Sequence, residues 1–439
     1  MTGAAMSEHR PRRVLKGFLG ILTGSALAQL FAFAALPLLS RLYTPSETAH
    51  YAVLLGIGAV LTSFAGLRLD LAVPIPTAAE DSRGLFWLAS LAPLVVLPVT
   101  GLLASLLLLA GVWDGGGLDL VDYLLVGAFV VVVSLFTAAS QLAIRLRSYG
   151  LLGRIPVIQM VGTLVGQVAL GAVGFGRGLF VGGLIGRSLG IARLVRSCDV
   201  RLHQIPGRSR TLGLLREYWR FPVIFAPASL VEVLGANLAA LMLPSLFGFG
   251  PAGLYAMAVR VSGVPGAILS QSAGQVFLGE FARAPSNAAS LRVFFRWSTA
   301  LLLMAIAVTS ALWVFSPLVL PWLLGDDWSG TAELAQYAGV MAGAAIFGSP
   351  VQHVWTVRQR GIMQFSWNMI RLGTTAAVIW TGAQAGVSLA TVIANLAIAT
   401  TGVYLLAWLG CLWAAARPAA GRPRPAAESR FDHSGPSTP

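Results

Sequence analysis

Charged side chains that lie inside long apolar runs are the residues of this sequence most able to do chemistry. Arg187, Glu232, Arg260 and Arg371 lie well within such runs, and Arg41 lies near the end of another. A charge at the centre of a bilayer costs about 2.5–3.5 kcal/mol on insertion scales, so it seldom faces lipid. These residues therefore indicate either a basic, water-filled cavity that holds at least one carboxylate, or structural ion pairs and side chains that reach the headgroups.

Two amides share one side of the predicted helix that contains Arg260. At 100° per residue, Gln271 lies about 20° around the axis from Arg260, and Gln275 lies about 60° away. In the first apolar run, Gln29 and Ser40 are also eleven residues apart. Such stripes favour the binding of a polar substrate, with interhelical hydrogen bonding as the alternative. For the stripe with Arg260 we expect a cavity, because an intramembrane guanidinium needs water or an anion.

Polar residues elsewhere are less indicative of a site. Gln159, Thr163 and Gln167 follow one another at four-residue steps beside two glycines, a spacing that favours close helix packing over substrate binding. Arg68 and Asp70 lie near the end of the second apolar run, two residues and about 200° apart on a helix. We therefore expect that they do not line one cavity equally.

No motif of a catalytic, metal or nucleotide site is present. The chain has no Walker loop and no G-x-S-x-G sequence, and its five histidines lie far apart without metal-ligand spacing. Its two cysteines, Cys198 and Cys411, lie near basic segments and imply no disulfide framework. We expect a protein that is not an enzyme and that carries no cofactor.

The elements that position these residues follow from the composition. Of 439 residues, 56% are hydrophobic and 11% charged, and the mean hydropathy is +0.77. A soluble protein carries about 25% charged residues, so these values exclude a soluble fold. The sequence predicts an all-α integral membrane protein.

Continuously apolar runs predict about twelve transmembrane helices, each of about 20 residues. Barrel strands would alternate polar and apolar residues instead. The twelve predicted spans cover residues 18–39, 51–73, 85–111, 120–142, 155–175, 178–195, 221–244, 252–278, 297–320, 333–356, 362–382 and 387–413.

The arginines cluster in alternate connections, which predicts that both termini are cytoplasmic. The longest internal connection divides the spans six and six. We therefore predict a cytoplasmic N-terminus and a first lobe before the connection, and a second lobe and a disordered cytoplasmic tail after it. These five segments cover residues 1–17, 18–196, 197–220, 221–415 and 416–439.

A weak internal repeat supports this division. The first and the seventh helix each end with Leu-Pro, at Pro37 and Pro244, and each is followed by a proline turn and a Tyr-Ala pair that opens the next helix. Two halves repeated in the same orientation form a natural frame for a transporter with its site between them.

Short motifs in a fixed order carry a resemblance that extends over about residues 15–415. They are Leu36-Pro37 to Pro45, Arg68–Ala72, Arg147–Gly150, Tyr218–Pro222, Leu243-Pro244, Phe247-Gly248, Gly253–Ala256 with Arg260 and Pro265, Gln271–Phe277, Gly325–Trp328 and Ser349-Pro350. In these motifs the chain resembles the oligosaccharide and polysaccharide flippases of the Wzx type, in the multidrug/oligosaccharidyl-lipid/polysaccharide exporter superfamily.

The resemblance implies two six-helix lobes around a central cavity that the first, second, seventh and eighth helices line. It also implies a substrate, undecaprenyl-diphosphate-linked oligosaccharide, that moves by alternating access from the cytoplasmic to the outer leaflet of a bacterial inner membrane. In this picture Arg260 neutralises the diphosphate and amides contact sugar. The substrate-binding candidates are Arg260, Gln271, Gln275, Gln29, Arg41, Arg187 and Arg371.

The driving force stays open between the membrane potential and a proton or sodium gradient, with Glu232 or Asp70 as the ion carrier. Each negative charge that moves outward gains about 2.3 kcal/mol per 100 mV. Expected partners are the lipid-linked oligosaccharide, membrane lipids and other polysaccharide assembly proteins, but not nucleic acid. Alternatives are a lipid II flippase, a multidrug or cation antiporter of the same superfamily, and a membrane polysaccharide polymerase.

Overall fold

The computed structural model describes residues 29, 31, 33–109, 117–146, 148–200 and 204–417. Every regular element in these ranges is helical, as the sequence predicts. The predicted N-terminal segment 1–17, most of the first span and almost all of the predicted tail lie outside the described residues.

Fifteen α-helices of the described ranges are numbered in chain order. They are α1 (Leu36–Leu42), α2 (Pro45–Ala65), α3 (Ala79–Leu109), α4 (Leu120–Arg145), α5 (Tyr149–Ala172), α6 (Gly178–Ser188), α7 (Ile191–Ser197), α8 (Arg208–Glu217), α9 (Ala226–Phe247), α10 (Phe249–Ala282), α11 (Asn287–Leu324), α12 (Thr331–Gly348), α13 (His353–Val357), α14 (Gly361–Gln384) and α15 (Leu389–Ala416).

Ten helical segments of the described residues are long and apolar enough to cross a membrane, among them α6 with α7 and α12 with α13. The predicted eleventh span corresponds to α14, which has 24 residues but is more polar because it contains Gln364, Asn368 and Arg371. The predicted first span continues into α1. The architecture is consistent with about twelve spans.

Local capping moves several helix ends away from their predicted positions. The second span begins at Pro45 rather than at residue 51, because Thr44 and Glu47 form a capping box around its first turn. Its helix ends at Ala65, before the predicted end at residue 73, and Gly66 follows. The ninth span begins ten residues early, at Asn287, where the Ser286 hydroxyl accepts a hydrogen bond from the amide of Ala289.

The helices pack into two groups, α1–α7 and α9–α15, with α2 between them. Helix α2 belongs to the first group through α4, and it also packs along α9 and α10 of the second group. Leu36 and Ala49 accordingly lie in one buried cluster with Leu243, Leu324 and other side chains of the second group. The groups therefore meet mainly along one helix.

The two groups are joined at both ends of the bundle. At one end, called the Trp328 end, the indole Nε1 of Trp328 donates a hydrogen bond of 2.9 Å to the carbonyl oxygen of Ser40. At the opposite end, called the Asp70 end, the 3₁₀ turn Leu69–Ala72 contacts the π-helical segment Phe221–Phe225 that precedes α9. The positive-inside rule predicts that the Asp70 end is cytoplasmic.

Candidate functional site

Two adjoining cavities lie between the two groups of helices. The cavity nearer the Asp70 end has a volume of about 420 Å³ and is called the Asp70 chamber. The second has a volume of about 260 Å³ and is called the Arg260 chamber. Leu55, Phe129 and Arg187 line both cavities. These three residues therefore form a wall that is common to both chambers.

Most of the chamber walls come from the first group of helices. The Asp70 chamber is lined by Leu55, Ala59, Thr62, Ser63, Gly66, Arg68, Asp70, Ala89, Phe129, Val133, Ser134, Thr137, Arg187, Val233 and Asn237. The Arg260 chamber is lined by Tyr51, Leu55, Phe129, Pro156, Gln159, Met160, Thr163, Leu164, Gln167, Phe180, Gly183, Arg187 and Arg260. Helices α2, α4 and α6 contribute to both, α9 closes the first and α10 the second.

A strained turn brings Arg68 and Asp70 into the same chamber. After α2 ends, Leu67 and Arg68 both adopt left-handed backbone angles, with φ of 52° and 53°. Residues other than glycine seldom adopt this conformation, and it is concentrated at functional sites. The expectation that the two side chains do not line one cavity equally assumed a helix that continues through residue 70, but the helix ends at Ala65 and both residues line the Asp70 chamber.

The carboxylate of Asp70 is held in a poorly solvated position. The residue is 7% exposed and lies in the turn after the membrane-spanning helix α2. Burial raises the pKa of its carboxyl group, and the neighbouring Arg68 guanidinium and two backbone amides oppose this rise. Asp70 can therefore exchange a proton at a higher pH than a solvated aspartate.

Arg187 stands between the two chambers because α6 ends there. The side-chain amide of Gln159 donates a hydrogen bond of 2.7 Å to the carbonyl oxygen of Arg187, which fixes the last turn of α6 against α5. The guanidinium carbon of Arg187 lies 5.3 Å from the ring centroid of Phe129, within the range of a cation–π contact. Arg187 thus presents a positive charge to both cavities.

Close packing of α5 on α6 supports this position. A Cβ atom added to Gly182 would lie 2.4 Å from the amide nitrogen of Gln167, and one added to Gly186 would lie 2.2 Å from that of Thr163. The Gln167 amide donates to the carbonyl oxygen of Leu179 at 2.8 Å. The polar residues of the fifth span therefore make interhelical contacts, as their glycine spacing predicts, although they also line the Arg260 chamber.

Arg260 is the contribution of α10 to the site. Its guanidinium carbon lies 5.9 Å from the ring centroid of Tyr51, a residue of α2 in the opposite group. Arg260 is half-buried and faces the same cavity as Arg187, Gln159 and Gln167. The structure therefore brings together two of the predicted substrate-binding arginines, from different groups of helices.

The chamber walls carry an excess of positive charge. Arg68, Arg187 and Arg260 supply three guanidinium groups, and Asp70 supplies one carboxylate. None of these three arginines forms an ion pair within the described part of the chain, and Arg68 Nε is buried without a hydrogen-bond partner there. Unpaired guanidinium groups in a restricted space are suited to bind a phosphate or another anion.

Four other candidates lie away from the chambers. Gln271 and Gln275 are exposed side chains toward the Asp70 end of α10 and line neither chamber, and Arg41 is exposed near the Trp328 end. Gln29 is half-buried before α1 and is also absent from both linings. Of the helices that the resemblance implies, α2, α9 and α10 (the second, seventh and eighth spans) line the chambers, together with α4, α5 and α6, which it does not name.

Arg371 and Glu232 meet through the backbone. The Arg371 guanidinium donates a hydrogen bond of 2.8 Å to the carbonyl oxygen of Glu232 and lies 5.0 Å from the centroid of Trp367. The carboxylate of Glu232 is exposed and forms no ion pair among the residues that the structure describes. Arg371 therefore joins α14 to α9.

A charged network at the Trp328 end is not predicted from the sequence. Asp122 is 1% exposed and accepts hydrogen bonds from His50 at 3.1 Å and from Arg177 at 2.8 Å, and Arg177 also pairs with Asp119. The three-residue spacing of Asp119 and Asp122, which form a capping box at the start of α4, is the sequence signal that could have identified two of these residues. Their partners come from other helices and connections, so their pairing required the tertiary structure.

The fold, apolar helices in two groups around buried cavities, is that of a multi-pass membrane transporter. The sequence profile of a family described as polysaccharide biosynthesis protein matches residues 38–333. The chain belongs to this family.

A curated relative and two solved structures are similar to the chain. The lipopolysaccharide biosynthesis protein WzxC of Escherichia coli K12 is 24% identical over 180 residues, which are 41% of this chain and 37% of that protein's length. The lipid II flippase MurJ in an inward closed conformation is 14% identical, with a TM-score of 0.64 over 88% of this chain and 86% of that one.

The second structure is the inward-facing conformation of a multidrug resistance MATE family transporter of the MOP superfamily. It is 13% identical, with a TM-score of 0.59 over 89% of this chain and 98% of that one. At these identities the two structures show the fold alone. The family model and the WzxC relative, together with this shared fold, confirm the resemblance to the exporter superfamily. The chain is a multi-pass membrane transporter connected with polysaccharide biosynthesis.

Proposed function

We propose that the protein is a flippase that moves undecaprenyl-diphosphate-linked oligosaccharide from the cytoplasmic to the outer leaflet of a bacterial inner membrane. The observation that carries the proposal is the charge of the two chambers, where Arg68, Arg187 and Arg260 face a single carboxylate, that of Asp70. A chamber with this excess of positive charge favours a doubly negative diphosphate and disfavours a cation.

Such a substrate needs a polar path for its headgroup between the helices, and the chambers lie in that position. A diphosphate cannot cross about 30 Å of hydrocarbon unaided, whereas its prenyl chain can remain in lipid. The chambers lie between two groups of helices that meet mainly along α2. In the proposed cycle these groups separate alternately at the Asp70 end and at the Trp328 end, while the diphosphate passes from Arg68 and Arg187 to Arg187 and Arg260.

The proposal includes no catalytic step and no cofactor. The membrane potential, negative inside, drives an anionic headgroup outward. A second contribution comes from a proton carried by Asp70, which lies among the lining residues of the Asp70 chamber. Glu232 remains a candidate ion carrier because its carboxylate is exposed on α9, but it lines neither chamber. Partners in the proposal are the lipid-linked oligosaccharide, membrane lipids and other polysaccharide assembly proteins.

A translocation assay in liposomes tests the proposal. The purified full chain is reconstituted with a fluorescent prenyl-diphosphate oligosaccharide, and the fraction accessible to an external reagent is followed with and without a membrane potential. The variants are Arg260→Gln and Arg187→Gln. The matched control is Arg283→Gln, which removes an exposed arginine that lines neither chamber.

We expect translocation by the wild type and by the control, and a loss of at least about tenfold in each chamber variant, because each loses a charged hydrogen-bond donor to phosphate. Equal rates in all four proteins would overturn the role of the chambers. Transport of a cationic dye but not of the diphosphate would favour the antiporter alternative. Transport of lipid II in preference to other prenyl-diphosphate sugars would favour the alternative that the protein is a lipid II flippase.

A further inference from the structure

A second basic cluster lies far from the chambers, where α15 ends at the Asp70 end. The guanidinium carbon of Arg417 lies 3.9 Å from the ring centroid of Trp413, and that of Arg360 lies 4.8 Å from the same centroid. Arg360 precedes α14 and Arg417 follows α15, so two separate segments place a positive charge on one indole ring. Arg360, Trp413 and Arg417 are called the Trp413 cluster.

The positive charges of the Trp413 cluster are not neutralised within the described part of the chain. Neither Arg360 nor Arg417 forms an ion pair with a carboxylate there, and Arg360 Nε is buried without a hydrogen-bond partner. Two like charges on one ring repel each other unless an anion lies between or beside them. Among the described residues the cluster therefore has no counter-charge.

The negative end of a helix dipole does not account for both arginines. Carbonyl groups at the C-terminus of α15 attract cations. Arg358 occupies this position, where its guanidinium donates a hydrogen bond of 3.2 Å to the carbonyl oxygen of Ala415. Arg360 and Arg417 instead stack on the Trp413 ring. Among the described residues neither guanidinium donates a hydrogen bond to a helix carbonyl, so both are available to a ligand outside the helix.

The surroundings indicate that this ligand belongs to the membrane surface. Trp413 is 40% exposed at the end of an apolar membrane-spanning helix, and tryptophan at such a position lies at the level of the lipid headgroups. The charge pattern predicts that this end faces the cytoplasmic leaflet, which carries the negative surface potential. Guanidinium groups bind phosphate in a bidentate manner.

We propose that the Trp413 cluster is a binding site for the phosphate of an anionic phospholipid headgroup in the cytoplasmic leaflet. Arg360 and Arg417 hold the phosphate from two sides, and the indole ring of Trp413 lies beside the glycerol region. The bound lipid joins the start of α14 to the end of α15. This site is separate from the proposed transport site and does not depend on the transported substrate.

Native mass spectrometry of the purified full chain with phosphatidylglycerol and phosphatidylcholine as probes tests the site. The test variant is Arg360→Gln/Arg417→Gln. The matched control, Arg283→Gln/Arg292→Gln, removes two exposed arginines toward the same end that have no described contact with Trp413. One arginine near an anionic surface contributes about fivefold in binding, so we expect phosphatidylglycerol retention to fall by about 25-fold in the test variant.

Retention of phosphatidylglycerol at the wild-type level in the test variant would overturn the proposal, as would an equal loss in the control. Displacement of the lipid by inorganic phosphate alone would show a free-anion site instead. Glu428 and Asp432 follow in the sequence and offer another source of negative charge. A large gain in lipid binding by Glu428→Gln/Asp432→Asn would show that the chain's own carboxylates occupy the cluster.

Discussion

Gly253 packs so closely on Pro45 that a Cβ atom added to the glycine would lie 1.8 Å from the proline carbonyl oxygen. Pro45 begins α2 and Gly253 lies in the first turns of α10. The starts of the second and the eighth span, which the sequence repeat aligns, therefore touch each other at the Trp328 end. The contact is between backbone atoms, so no side-chain rearrangement can make room for a larger residue.

The substitution Gly253→Ala is expected to force the two groups of helices apart at this end. Overpacking in a closely packed position costs about 1–3 kcal/mol, and we expect a corresponding loss of thermal stability, measured by unfolding in detergent. Gly263→Ala on the same helix is the control, because a Cβ added there meets no atom within 4 Å. If both variants unfold at the wild-type temperature, the close contact is not a feature of the folded protein in detergent.

A second test concerns the position of Arg187. Gly182→Ala places a methyl group 2.4 Å from the backbone of α5, whereas Gly183→Ala meets the Gln167 amide only at 3.8 Å. We expect the first variant to shift α6, to unfold at a lower temperature and to slow translocation, because Arg187 ends the same helix. The second should unfold at the temperature of the wild type, because its added methyl group meets no atom closer than 3.8 Å. Equal behaviour of the two glycine variants would contradict this account of the α5–α6 contact.

The spans could be predicted from the sequence because each depends on a local property, a continuous apolar run. The site could be predicted only in part. Arg187 and Arg260 were found because a charge within an apolar run is costly wherever the helix lies. That both face the same cavity depends on the packing of α6 and α10 around α2, which no local pattern contains.

Two errors had the same physical origin. The prediction for Arg68 and Asp70 assumes a continuous helix, but α2 ends at Ala65, two left-handed residues follow, and both side chains line the Asp70 chamber. The start of α2 was placed six residues late, because hydropathy does not register the Thr44–Glu47 capping box. Helix ends depend on individual hydrogen bonds and backbone angles rather than on average apolarity.

The raised pKa of Asp70 predicts how stability depends on pH. Burial disfavours the charged carboxylate, with partial opposition from Arg68, so the native protein binds this proton more tightly than the unfolded chain. The charged form therefore destabilises the protein above the raised pKa, and this cost disappears as the pH falls through that pKa toward 3.8, the ordinary value. Asp70→Asn should raise the unfolding temperature at neutral pH, with a gain that shrinks on acidification.

Unfolding temperatures of the wild type and of Asp70→Asn, measured side by side from neutral to acidic pH, test this dependence. Asp327→Asn is the comparison, since it removes a carboxylate that is exposed to solvent. A stabilisation by Asp70→Asn that stays constant over the whole range would mean that its origin is not the ionisation of Asp70. A lower unfolding temperature at neutral pH would mean that the carboxylate stabilises the turn.

Arg371 and Glu232 provide a test that separates a structural role from a role in transport. The Arg371 guanidinium binds the backbone carbonyl of Glu232 rather than its carboxylate, and Arg371 also lies against the Trp367 ring. Arg371→Leu should lower the free energy of unfolding by about 1.5–3 kcal/mol, the usual contribution of a hydrogen bond to a charged group. Arg371→Lys should recover only part of this free energy, because the planar guanidinium is lost.

Glu232→Gln should leave the free energy of unfolding unchanged, since the backbone carbonyl remains. Any change in the translocation rate of this variant, or in the dependence of that rate on an ion gradient, therefore reports on the carboxylate. Denaturant unfolding of the three variants checks this, and a destabilisation by Glu232→Gln as large as that by Arg371→Leu would show that the side chains form an ion pair.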